Sequence, residues 1–108
     1  MTDKIVVLSS CADAAEAEGI ARALVEKRLA ACVNVLAGAR SIYRWRGAVE
    51  ECPECLLIIK SRRELFDQLR SEIEKLHSYE VPEVLALAVT EGSPGYLSWL
   101  DHELKPEV

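Results

Sequence analysis

Cys55-Leu56-Leu57-Ile58-Ile59-Lys60 places four aliphatic side chains in unbroken succession. Successive side chains of a strand point to opposite faces of its sheet, so an extended reading makes this segment apolar on both sides. Ile5-Val6-Val7-Leu8 has the same character, inside a predicted strand over residues 4–10. Two strands of this kind belong in the middle of a sheet, and the remaining elements are read outward from them.

Asp13 followed by Glu16 has the spacing of a capping box. The helix it opens runs to about Leu29, with Ala17, Ile20, Ala21, Leu24 and Val25 on one stripe. Gly19 inside it costs about 1 kcal/mol against alanine. Residues 31–36 form a second strand, which resumes over residues 41–45 after a break at Gly38, and Arg46-Gly47-Ala48 turns the chain back. After the strand at 55–60, Ser61 and Glu64 repeat the capping pattern. Leu65, Phe66, Leu69, Ile73 and Leu76 then recur at helical spacing as far as His77. Residues 84–89 make a fourth strand. Ser93 caps a short last helix with Pro94 in its first turn, and Tyr96, Leu97 and Leu100 form its expected buried side.

The order β-α-β-β-α-β is the α+β split arrangement of ferredoxin-like folds, with an antiparallel four-stranded sheet and one added C-terminal helix. Its first and third strands lie in the middle, which matches the two doubly apolar segments. Two helices cover one sheet face, and the short third helix is too small to cover the other. A wet antiparallel face alternates apolar with polar residues, and these strands do not alternate. An exposed apolar face of this size marks an interface, so the pattern predicts a closed symmetric oligomer of identical chains.

The 108 residues predict a single domain over 1–108, without linker or repeat. A domain of this size buries roughly 65% of the surface of its unfolded chain. The formal net charge of −5 argues against a nucleic-acid partner, which needs a basic face. No apolar run approaches the ~20 residues of a bilayer span, and residues 5–8 are too short for a secretory core. The expected location is the cytoplasm, where four cysteines are kept as thiols.

His77-Ser78-Tyr79-Glu80-Val81-Pro82-Glu83 links the second helix to the fourth strand. Such links carry function on rigid supports. His77 offers a neutral imidazole, and Glu80 and Glu83 offer oxygen, a donor set for zinc or copper(II). A histidine in the last turn of a helix also serves the helix dipole without any metal, and both readings stand at this level. Cys52-Pro53-Glu54-Cys55 leads into a strand, where α-carbons three residues apart lie about 10 Å from each other. That exceeds the reach of a disulfide, and chelation would need a bulge at the proline. Cys32, between Ala31 and Val33, reads as a small apolar packing residue. Tyr43-Arg44-Trp45-Arg46 interleaves aromatics with bases. Strand alternation puts Tyr43 and Trp45 together as subunit-contact anchors, with the arginines opposite. Lys60, Tyr79 and Trp45 are expected to line a cleft between subunits, where small ligands bind or the subunits simply pack. No phosphate-binding loop or nucleophile elbow appears, so no enzyme is predicted.

The His77–Glu83 run, with Ser41-Ile42-Tyr43-Arg44-Trp45-Arg46-Gly47 and Arg28-Leu29-Ala30-Ala31-Cys32-Val33-Asn34, resembles the signatures of the CutA-type divalent-cation tolerance proteins. The resemblance runs from Ile5 to about Leu100. Ser78 stands where the family usually has proline. The resemblance implies a cytoplasmic homotrimer with a role in copper tolerance and weak binding of copper or zinc. Copper ligands assigned in some relatives fall on Ser9, Leu76 and His77 here, so only the histidine is retained. Cys11, two positions after Ser9, is the substitute thiol, giving Cys11, His77 and Glu83 as the expected metal ligands. The architecture also resembles the PII signalling proteins, which implies an alternative role in sensing a small anion or nucleotide at the subunit seam.

Overall fold

The computed structural model describes residues 2–106. The chain forms β1 (Lys4–Cys11), α1 (Ala14–Glu26), β2 (Cys32–Trp45) and β3 (Ala48–Arg62), then α2 (Phe66–Leu76), β4 (Leu85–Ala88) and α3 (Pro94–Glu103). The strands make one antiparallel sheet in the order β2-β3-β1-β4, with the two doubly apolar strands central as the sequence predicts.

The ladder fixes which side chains share a face. Val7 stands opposite Ile59 and Ser9 opposite Leu57 on the helix-covered side. There Val7, Leu57 and Ile59 pack with Ile20 and Leu24 of α1 and with Leu69 and Ile73 of α2 in one buried core. The opposite face carries Val6, Leu8, Leu56 and Ile58 at its centre, all only partly buried, with Leu36, Leu85 and Leu87 exposed around them. Burial therefore alternates along β1 and β3 although hydrophobicity does not. The third helix engages one corner of this open face. Asp101 pairs with Lys4, and the Arg62 guanidinium donates to the carbonyls of Lys105 and Pro106.

The hairpin β2–β3 is longer than the sequence suggests. Gly38 does not end β2. It sits at positive φ in a bulge between Leu36 and Ala39, where the register with β3 shifts by about one residue and the strand runs on. β3 starts at Ala48 rather than at Cys55, and the turn uses Arg46 and Gly47, both left-handed. That is the two-residue turn whose twist suits a hairpin. The result is an arm that lengthens the chain to 44 Å against 25 and 22 Å in the other directions.

Two helix boundaries differ from the periodicity. α1 stops at Glu26 because Arg28 turns left-handed and the Leu29 and Ala30 amides both donate to the Leu24 carbonyl, leaving Val25 exposed. Ser61 caps nothing: it belongs to β3, and its buried hydroxyl donates to the Leu29 carbonyl at 2.7 Å. Glu64 pairs with Arg62, and a single 3-10 turn over Arg63–Leu65 leads into α2. In α3, Leu100 is buried while Tyr96 is exposed and stacks near Trp99.

Two fully buried serines on the helix-covered side of the sheet have opposite expected energetics. Ser61 is satisfied, whereas the Ser9 hydroxyl has no partner among the described residues. A lost buried hydrogen bond and a buried orphan each amount to about 1 kcal/mol or more. Urea unfolding should therefore show Ser61→Ala destabilised by about 1 kcal/mol and Ser9→Ala stabilised by a similar amount, with unchanged m values.

Candidate functional site

Three element ends meet on the helix-covered side of the sheet. β1 ends at Cys11, Asp13 caps α1 and so places Glu16 in its first turn, and α2 ends on His77. The Cys11 sulfur, a Glu16 carboxylate oxygen and a His77 ring nitrogen lie within 4.8 Å of one another. Cys11 is fully buried.

Each member has a defined state. The Asp13 carboxylate accepts from the Glu16 amide, as a capping box requires. The Glu16 side chain does not return the bond. It crosses to accept the Ser78 amide at 2.7 Å, and its second oxygen, Oε1, is buried without a partner among the described residues. His77 Nδ1 accepts the Tyr79 amide at 3.1 Å. The ring proton therefore sits on Nε2 and is donated to the Ser10 carbonyl at 2.7 Å. Burial, followed by the charge of Glu16, pushes the Cys11 thiol up to about 12, so it is protonated at neutral pH. The set offers sulfur, oxygen and nitrogen, donors suited to zinc or copper(II). Ligation would require His77 to release one hydrogen bond and Cys11 to lose its proton.

Glu83, expected as the carboxylate of this group, lies outside it, and Glu16 stands in its place. Glu80 is exposed and pairs with Arg46 at 3.5 Å. Of the other two positions aligned with relatives' copper ligands, Ser9 is buried in the core and Leu76 is exposed. The signal for Glu16 was present in the sequence, but a capping box reads as a local device and says nothing of a reach to Ser78.

A cavity of about 610 Å³ lies beside this group, between the arm and the link after α2. Tyr43, Trp45 and Tyr79 line it with Glu50, Glu54, Glu80 and Glu83. Glu54 is buried and accepts hydrogen bonds from the hydroxyls of Ser41 and Tyr79. Burial and then Glu54 push the Tyr79 phenol well above its ordinary value, and burial, followed by Cys52 and Glu50, raises that of Tyr43. Lys60 does not join this cavity: it is on the open sheet face, bonded to Asn34. Among the described residues the cavity lining holds four glutamates and no base, with Arg46 reaching only its rim through Glu80 and Trp45, so its field opposes the small anion that the PII likeness suggested. Arg46 is not opposite the aromatics but folds over the Trp45 ring, 5.3 Å from its centre.

All four cysteines are free. Cys52 and Cys55 lie along extended β3. Pro53 pairs regularly with Arg40, and the hairpin's bulge is on β2, across from Cys55.

A model of the CutA1 divalent ion tolerance proteins matches residues 5–103. A divalent-cation tolerance protein CutA of Thermus thermophilus is 48% identical over 95 residues, covering 88% of this chain and 92% of that protein. A mouse protein CutA is 46% identical over 99 residues, of which this chain spans 92% of its own length and 55% of the mouse protein's. The crystal structure of CutA from Xylella fastidiosa superposes with a TM-score of 0.94 at 40% identity, covering 96% of this chain and 100% of that one.

The Cys11 thiol predicts an alkaline dependence of stability. Its folded pKa of about 12 exceeds the ordinary 9.0, so between these values the folded chain binds more protons than the unfolded chain. Stability should fall as pH rises through this window, by up to about 1.4 kcal/mol per pH unit. Urea titrations from pH 8 to pH 11 should show this fall, and Cys11→Ala should make it shallower.

Proposed function

The chain belongs to the CutA1 family of divalent ion tolerance proteins, and from that premise we propose that it is a non-catalytic cytoplasmic homotrimer that takes up copper(II) or zinc weakly through Cys11, Glu16 and His77. The observation that carries the metal reading is the convergence of these three donors within 4.8 Å. Weakness follows from the competing claims on them: both His77 nitrogens are hydrogen bonded, and Cys11 holds its proton. The trimer reading rests on the apolar sheet face that no layer of this chain covers, and on the exposed Ile42 and Val49 of the arm. Burying that face gains roughly 25 cal/mol per Å² of apolar surface removed from water. A cytoplasmic setting suits four free thiols. Sensing of an anion at the seam is the weaker reading, because four carboxylates surround the neighbouring cavity.

Calorimetry with copper(II), zinc and a panel of nucleotides tests the metal reading. Metal binding should be lost in His77→Ala, weakened in Glu16→Gln and unchanged in Glu83→Ala. Since one thiol proton must leave, affinity should rise roughly tenfold per pH unit from pH 6 to 8. Nucleotide heat without metal heat would overturn the proposal. Sedimentation should give three times the 12.0 kDa chain mass, and Leu87→Asp, at a half-exposed position on the open face, should lower it.

A further inference from the structure

The β1–β3 ladder ends on a pair of cysteines that sequence spacing hides. Cys11 and Cys55, 44 residues apart, are direct cross-strand partners. Both share the helix-covered side with Val7 and Leu57, so their β-carbons project the same way. Directly opposed residues of an antiparallel pair have α-carbons roughly 4.5–5.5 Å apart, inside the roughly 4.4–6.8 Å window of a disulfide. The other cysteines lack this relation. Cys52 is three residues from Cys55 along the same strand, and Cys32, opposite Lys60, is on the other face of the sheet.

We infer that Cys11 and Cys55 are a reversible oxidation site, at which a low-molecular-weight disulfide converts the two thiols into a cross-strand disulfide and withdraws the Cys11 sulfur from Glu16 and His77. The withdrawal half rests on the metal reading above; the disulfide half does not. Position favours the chemistry. Cys11 is the last residue of β1, and Cys55 is where β3 leaves the flank of β1, so the pair opens by fraying of a strand end. Cys55 retains slight exposure, at 6%, whereas Cys11 has none. The Cys55 thiol therefore reacts first: its proton passes to water, its sulfur attacks the small disulfide to form a mixed disulfide, and the displaced thiolate takes up a proton from water. Fraying of the strand end then lets Cys11 lose its proton to water, and its sulfur attacks the Cys55 sulfur. The second small thiolate leaves and takes up a proton from water. Two protein thiols are oxidised, and one small disulfide is reduced to two thiols.

The test incubates the reduced protein with oxidised glutathione at pH 8, alkylates residual thiols and maps the peptides by mass spectrometry. The expected result is a Cys11–Cys55 linked peptide at single-chain mass, a fall from four free thiols to two, and reversal by dithiothreitol. Copper(II) or zinc affinity, measured on the same samples, should drop at least tenfold on oxidation and return on reduction. The Cys55→Ser variant should form no such link and keep its metal affinity through the treatment. A link through Cys32 or Cys52, or glutathione adducts on Cys11 or Cys55 without a link, would overturn the inference. A Cys11–Cys55 link that leaves metal affinity unchanged would overturn the withdrawal. A link in a protein that binds no metal even when reduced would uphold the oxidation site and overturn the metal reading.

Discussion

The antiparallel pairing of β1 with β3 is the constraint on which the molecule depends. Its eight paired positions run from Lys4–Arg62 to Cys11–Cys55. Because side chains alternate, this one register decides the whole inventory of both sheet faces. Val7, Ser9, Leu57 and Ile59 are sent under the helices, and Val6, Leu8, Leu56 and Ile58 to the open side. A slip of one residue would exchange the two sets. Much of the core would survive, since both sets are aliphatic, but the ends of the ladder would not. Arg62 would lose its tail carbonyls, and Cys11 would leave the group at the ends of α1 and α2. The polar ends, more than the greasy middle, therefore specify the register.

The group at the sheet end holds itself together without a metal. His77 is locked by a donor on one side and an acceptor on the other, and Glu16 closes the link through Ser78. The same bonds run on through Tyr79 to Glu54 in the neighbouring cavity. A cation that recruits His77 competes with this network and must disturb Tyr79 or Ser10 to do so. Were a cation to bind there as proposed, its binding energy and the order of the link would be coupled.

Topology was legible because it rests on long periodic segments. The doubly apolar runs at residues 5–8 and 56–59 announced the central strands, and the stripe from Leu65 to Ile73 announced α2. Boundaries set by single backbone choices were not legible. The left-handed turn at Arg28 and the bulge at Gly38 leave little trace in hydrophobicity. At the site, His77 and Cys11 were readable as residue types, one from the link after a helix and the other from the family likeness. Glu83 was chosen for its closeness in sequence, and Glu16 came instead from the opposite end of the layer, through a helix start that no local pattern connects to His77. Lys60 lies on the open sheet face, bonded to Asn34, apart from the cavity that Trp45 and Tyr79 line.

Pro53 has a consequence beyond its own strand. Past Cys55, β3 has β2 on one side and nothing from β1 on the other, so the arm presents a free edge. An open edge invites another strand to add by main-chain hydrogen bonding, the route to fibrillar growth. Proline has no amide hydrogen to offer an incoming strand, and it interrupts such a ladder near the root of the exposed edge, beside Cys55. The arm is thereby left to associate through its side chains, which restricts it to partners of fitted shape and turns away indiscriminate backbone pairing.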